Sequence, residues 1–408
     1  MSHITIVGGG QAGLMLACGL LAHKHKVRLV QNRTADEIAS GAVMSSQCVF
    51  GTALGMERDL GLDFWEGEAP DIAGMRIRVA DPAGSGNMAI GFTGKLLRKA
   101  VSVDQRLKFP RWIAEFEKRG GELVIADADV AALETYAADS DLVVVSAGKS
   151  DIAALFGRDA ERSMYDKPMR ALSLVYCHGV QPYEDLTCVT ATLIPGAGEL
   201  FMIPALTASG PCEILFIEAL PGGPLDTFNE VRGVDQHLAR TLELIAKHVP
   251  WEKDRVANAK PTDAQAGLKG RFPPTVRNGH ALLPSGKPVL GLADAVILND
   301  PITGQGANNA VKAARVYLDA ITAWEGGRFD AEWMAALFEA AWQRVYPSSM
   351  WTNMMLQPPP DHVVGLLATA QKSQALADRI ANGFDEPGDM LPVYADPALA
   401  ADICATAA

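Results

Sequence analysis

His3-Ile4-Thr5-Ile6-Val7-Gly8-Gly9-Gly10-Gln11-Ala12-Gly13-Leu14 is the stretch on which the fold turns. Ile4 to Val7 is a short β-branched run that favours a strand. Leu14 to Leu21 is apolar and helix-compatible, and Lys26 to Gln31 returns to strand, so the glycines sit at the first corner of a βαβ unit. Gly8, Gly10 and Gly13 satisfy G-x-G-x-x-G in the context that gives the motif meaning. The first allows a tight turn, the second a close backbone approach to a pyrophosphate, the third close helix packing. The helix opens at Gln11 and Ala12, and its positive end suits phosphate oxygens. Gly8, Gly10, Gln11, Ala12 and Gly13 are therefore expected to hold a dinucleotide.

Beyond this unit, Met75 to Val79 alternates as a strand, and Trp112 to Arg119 reads as a helix stopped by Gly120-Gly121. Glu122 to Ile125 and the continuous apolar run Asp141 to Val145 are strands, the latter of the kind buried in a parallel sheet. Ala171 to Cys177, Cys188 to Ile194 and Glu213 to Glu218 are more alternating and broken by Pro and Gly, which predicts a mainly antiparallel sheet. Gln236 to His248 is helical, with Leu238, Leu242, Ile245 and Val249 on one face. Pro288 to Leu292 is a core strand, and Ala307 to Trp324, Glu332 to Tyr346 and Val363 to Ile380 are helices, the last two on either side of a proline brake at Pro358-Pro359-Pro360.

A chain of 408 residues, 49% hydrophobic and 21% charged, can bury a large core in two or three domains. Its net charge of -12 repels phosphate backbones and anionic membranes, so nucleic acid is not an expected partner. The six cysteines are scattered without a C-x-x-C pair, which fits free thiols in a reducing compartment and gives no metal site. No apolar run reaches the roughly 18 residues of a membrane span, and no basic leader precedes the first strand, so a cytoplasmic location is expected.

A second signature lies in Gly291-Leu292-Ala293-Asp294 and Asp300-Pro301-Ile302-Thr303-Gly304-Gln305-Gly306-Ala307-Asn308. It resembles the G-D and P-x-x-G-Q-G-x-N elements of flavoprotein monooxygenases. That resemblance implies FAD, with Asp294 on the ribityl chain and Pro301, Gly304, Gln305, Gly306, Ala307 and Asn308 around the flavin ring. Ala293 departs from the family's glycine. Helix N–H groups at Gly306 to Asn308 would face the flavin N1/O2 edge, where reduction accumulates negative charge. Two expected acids are absent. Val30-Gln31-Asn32-Arg33 offers no ribose carboxylate, leaving Arg33 as a candidate contact to adenosine or pyrophosphate. Ser146-Ala147-Gly148 stands where single-component aromatic hydroxylases, which bind NADPH themselves, carry Asp-Gly. Both absences point to FAD that arrives reduced from another protein and leaves again.

With these departures the chain, to about residue 388, resembles the oxygenase component of the two-component styrene and indole monooxygenases. The resemblance also rests on Asp36-Glu37, Val103-Asp104 with Arg106-Leu107, Arg119-Gly120-Gly121, Gly148-Lys149, Lys167-Pro168 with Arg170-Ala171-Leu172, Ile203-Pro204, Asn278-Gly279-His280, Trp351-Thr352-Asn353 and Phe384 before Pro387. It adds Arg106 and Gly148 to the expected cofactor contacts. The expected fold is α/β: a Rossmann-like FAD-binding domain (1–70, 95–165 and 281–330), an inserted, mainly antiparallel substrate domain (71–94 and 166–280) and C-terminal helices (331–408), an aromatic-hydroxylase-like arrangement.

The resemblance implies that FADH2, supplied by an NADH-dependent flavin reductase, reacts with dioxygen to a C4a-hydroperoxide that epoxidises an aromatic alkene. The eight histidines form no nucleophile-base or metal-ligand pattern, so catalysis is expected to rest on a dry pocket and on backbone groups of Pro301, Thr303 and Gly304. Styrene-preferring members carry Asn, Val and His, then Tyr and His, where this chain has Ser46, Cys48, Phe50, Ile72 and Met75, and Ala100 replaces a serine. Those residues resemble the indole branch, in which Ser46 sits near the bicycle, so indole is favoured over styrene. A homodimer is the candidate assembly. The competing readings are a single-component NAD(P)H-dependent aromatic hydroxylase and a flavin carrier or sensor without turnover.

Overall fold

The computed structural model describes residues 1–147 and 151–407. The βαβ unit forms as its sequence dictates: strand His3–Val7, helix Gln11–Ala22 and strand Lys26–Gln31. His3–Val7 lies in the middle of a six-stranded sheet, between Leu142–Val145 and Lys26–Gln31, with Glu122–Ile125 beyond one and Pro288–Gly291 and His280–Leu282 beyond the other. Five of these strands are parallel and only the edge strand His280–Leu282 is antiparallel. Leu142 to Val145 are all buried, as expected for a central strand covered on both faces.

The second sheet has eight strands. Seven run in the order Lys260–Pro261, Ala171–His178, Gly210–Ala219, Gly198–Thr207, Cys188–Ile194, Ile72–Ala80 and Met88–Ala100, while Gly267–Gly270 also pairs with Ala171–His178. All pairings are antiparallel except that of Ile72–Ala80 with Cys188–Ile194, which is parallel. Met88–Ala100 runs past residue 94, where the sequence suggests a return to the nucleotide-binding domain.

Three elements differ from the sequence expectation. Gly198–Thr207, a central strand, carries a proline and lacks alternation because apolar clusters cover both its faces. Pro204 lies past Thr190↔Met202, the last pair on the Cys188–Ile194 side, so its missing N–H leaves no neighbour there unsatisfied. The helix expected to end at Tyr346 continues through Pro347 to Met355. The expected Val363–Ile380 helix is two, Asp361–Ala370 and Gln374–Asn382.

That break lets the second helix lie directly on the edge strand Met88–Ala100. A Cβ on Gly94 would stand 2.0 Å from the Ala377 carbonyl oxygen, so only glycine permits the approach. Side chains of the helical segment then satisfy the strand's outward N–H groups: Gln371 accepts from Gly91 (2.8 Å), Asp378 from Lys95 (2.7 Å) and Asn382 from Leu97 (2.8 Å). An otherwise open edge is thereby covered. Among the described residues, no helix is long and apolar enough to cross a membrane.

Candidate active site

The glycine turn has the geometry its spacing demands. Gly8 has φ +118°, and a Cβ there would meet Ser146 and Ala147 backbone atoms at 2.8 Å. A Cβ on Gly13 would lie 1.9 Å from the Gly8 carbonyl oxygen, so glycine brings the helix down on the strand. A Cβ on Gly10 meets nothing within 4 Å. Gly10 is thus free of packing reasons to be glycine, and its open face is what close approach of a pyrophosphate requires. Helix Gln11–Ala22 has no side-chain cap and no acidic residue in its first turn, leaving its positive end for an anion.

The second element leaves the sheet two strand spacings away, roughly 10 Å, at the end of Pro288–Gly291. Asp294 follows Ala293, whose φ of +52° is left-handed, the conformation that the usual glycine adopts freely. Ala293→Gly should therefore stabilise the fold by about 0.5–1 kcal/mol, read as a raised thermal midpoint, because relief of the strain exceeds the added chain entropy. Asp300 caps the short Pro301–Thr303 turn, accepting from Ile302 N at 3.1 Å, and Gly304 at φ +65° starts helix Gln305–Thr322. This helix too has no side-chain cap or first-turn acid, and a Cβ on Gly306 meets nothing within 4 Å. Two open glycines and two uncapped helix N-termini on one sheet fit an FAD.

Asn308 joins this loop to the expected substrate wall. Its Oδ1 accepts from Phe50 N (2.8 Å), and its Nδ2 donates to the Cys48 (2.8 Å) and Gly304 (2.9 Å) carbonyls. Cys48, Phe50, Ile72, Met75 and Ala100 all fall in one buried apolar cluster with Tyr176, Phe216 and Trp351. Phe384 closes its far side, 6.1 Å from the Phe50 ring and 4.9 Å from that of Trp351. Burial pushes the Cys48 thiol up to about 12, so it acts as an apolar wall and not as a nucleophile. Ser46 is half-buried, and among the described residues nothing hydrogen-bonds its hydroxyl. Two residues that the sequence reading passed over hold this segment: Tyr176 Oη donates to the Ser45 carbonyl (2.9 Å), and Gln47 Nε2 to Val103 O. Alternation along Ala171–His178 places Tyr176 on the Leu174 face, and that was the available signal.

Some expected contacts are engaged elsewhere. The Gln11 side chain donates to Glu57, itself in a buried ion pair with Lys108 (2.7 Å), so only the Gln11 backbone can serve a phosphate. Thr303 Oγ1 is bonded to Thr352, which leaves its backbone as the group able to face a ring. Arg33 is exposed and reaches Met44 Sδ (3.1 Å). The buried Gln31 amide packs on Gly9 at the end of the second strand, where a ribose carboxylate would stand. The Arg106 guanidinium is likewise engaged. Its five N–H groups go to Asp104, Asp263 and the Gly41 carbonyl, which leaves no donor for a cofactor in this state. Gly148 lies outside the described residues.

Residues 148–255 match the family model described as "Styrene monooxygenase A putative substrate binding domain". The chain is 30% identical over 407 residues to "Styrene monooxygenase StyA" of Pseudomonas fluorescens, covering 97% of this chain and 95% of the relative, and equally so to one from a Pseudomonas species. Among solved structures, the flavin-dependent brominase Bmp2 shares the fold with a TM-score of 0.69 at 15% identity, covering 98% of each chain. p-Nitrophenol 4-monooxygenase PnpA of Pseudomonas putida DLL-E4 shares it at 0.62 and 12%, covering 95% of this chain and 99% of that one. By the extent of the match to its relatives, the chain belongs to the styrene monooxygenase family and is an FAD-dependent monooxygenase.

Proposed function

We propose that this chain is the oxygenase component of a two-component system: it takes FADH2 from an NADH-dependent flavin reductase and epoxidises indole in preference to a styrene-like alkene. The observation that carries this reading is the Asn308 bridge, which fastens the flavin loop to the Cys48–Phe50 wall of a buried apolar cluster. Bound reduced flavin would supply the activation of dioxygen and the electrophilic oxygen. The protein's part is positional: Gly8, Gly10 and Gly13 receive the pyrophosphate, Asp294 the ribityl chain, and Pro301 to Gly304 present backbone groups to the reacting edge. The wall of Cys48, Phe50, Ile72, Met75 and Ala100 excludes water, which would compete for the activated oxygen. Ser46 has the one hydroxyl among the six expected substrate residues, and in this reading that hydroxyl accepts the indole N–H.

The test is product analysis on indole and styrene with FAD and a flavin reductase. The isolated chain should consume little NADH, whereas the complete mixture should turn indole into indigo through indoxyl. Vigorous NADPH oxidation by the isolated chain would indicate a single-component hydroxylase. Much faster turnover of styrene would overturn the assignment of Ser46, Phe50 and Ala100.

A further inference from the structure

Behind the flavin loop lies a set of buried acids that the reaction above does not use. Glu199 and Glu218 face one another directly across the antiparallel pair Gly198–Thr207 and Gly210–Ala219. By alternation they share the face of Ile203, Ile214 and Phe216, which is the face of the apolar cluster. Glu199 holds Arg170 through two bonds of 2.7 and 2.9 Å, and Arg170 also donates to the Leu356 carbonyl (3.2 Å) of the C-terminal region. The third acid is Asp300, the cap of the Pro301–Thr303 turn.

Three carboxyls thus share one guanidinium, and that guanidinium is taken by Glu199. Glu218 is fully buried, and neither of its oxygens accepts a hydrogen bond from any donor among the described residues. Its carboxyl interacts with that of Asp300. Two facing carboxylates would leave Glu218 without any donor and Asp300 with the Ile302 N–H alone, whereas one proton between them gives the pair a hydrogen bond. Burial, then the Asp300 and Glu199 carboxyls, push Glu218 well above the usual carboxylate range, and burial also pushes Asp300 up to about 6. Asp300 keeps the anionic role because it has the Ile302 N–H, which Glu218 lacks. The charged groups that reach Glu218 are Asp300, Glu199 and Arg170.

We propose that Glu218 is a positioning residue for the flavin loop: as an un-ionised acid it donates its proton to the Asp300 carboxylate and so fixes the Pro301–Thr303 turn against the substrate sheet. The inference rests on the flavin reading of that loop. It also has an electrostatic consequence, since a neutral Glu218 spares the site a second uncompensated negative charge near the place where reduction makes the flavin anionic.

The test uses the full chain with Glu218→Gln, which keeps a donor toward Asp300, and Glu218→Leu, which fills similar space without one. A wild-type-minus-E218Q infrared difference spectrum at neutral pH should show the C=O band of an un-ionised carboxylic acid. FAD titration should give E218Q within about twofold of wild type and E218L weakened by about tenfold or more, the effect of one lost buried charge-assisted bond. Absence of the acid band, or E218Q binding as poorly as E218L, or all three binding alike, overturns the proposal. The infrared result stands even if E218L does not fold. A wild type that binds no FAD would defeat the flavin reading instead, while the difference band still locates the proton.

Discussion

Gly13→Ala is expected to cost about 3 kcal/mol of stability and to weaken FAD binding by about 100-fold or more. The added methyl would stand 1.9 Å from the Gly8 carbonyl oxygen and 2.6 Å from Ser146 Oγ. The carbonyl belongs to backbone fixed in the sheet, so the helix must lift from the strand, taking its N–H groups away from the pyrophosphate. Gly10→Ala is the control that separates cofactor from packing. Its methyl meets nothing in the protein, so the thermal midpoint should not change, yet FAD affinity should fall by about tenfold or more. Thermal melts and flavin fluorescence titrations on both variants check this. Unchanged affinity in G10A would mean that the turn does not receive a cofactor.

Asn308→Ala should have the second largest effect, because it removes one side chain and strands three backbone groups. Phe50 N and Cys48 O lose their partner in the buried interior, and Gly304 O loses its partner in a part-buried position. At about 1–3 kcal/mol for each unsatisfied buried group, a loss near 3 kcal/mol is expected after relaxation. The functional consequence is separate from the stability loss. With the substrate wall released from the flavin loop, oxygen activation continues while transfer fails, so hydrogen peroxide should rise relative to epoxide. Asn308→Asp should also uncouple, since a carboxylate keeps the acceptor for Phe50 N but opposes two carbonyl oxygens. A variant that loses stability with an unchanged ratio of peroxide to epoxide would show that the bridge is structural only.

What was legible in the sequence was what has a short-range signature. The turn from Val7 to Gly13 announces its strand, its helix and its open glycine because each role needs a residue type at a fixed offset. The Pro301 to Asn308 stretch is legible for the same reason. Gly198–Thr207 was not, since a strand buried on both faces and carrying Pro204 loses the alternation that marks strands. The path of helix Ala331–Met355 through Pro347 is set by packing, not by the local preference of proline. The engagement of Arg106 by Asp104 and Asp263 joins residues 157 positions apart, and Glu218 and Asp300 are also far apart in the sequence, so neither relation has a local pattern to read. Ala293 is instructive in the other direction: a departure from the family's glycine, visible in the sequence, appears as a left-handed residue in the structure.

As the oxygenase of a two-component system, the chain should use flavin reduced elsewhere and need no nicotinamide of its own. This is tested most directly by mixing the purified chain with chemically reduced FAD under anaerobic conditions, then adding isotopically heavy dioxygen and indole without NADH, NADPH or a reductase. The expected result is an oxygenated indole product that carries the heavy oxygen, in an amount limited by the reduced FAD supplied. No labelled product from indole or styrene, with all the reduced flavin oxidised to FAD and hydrogen peroxide, would contradict it.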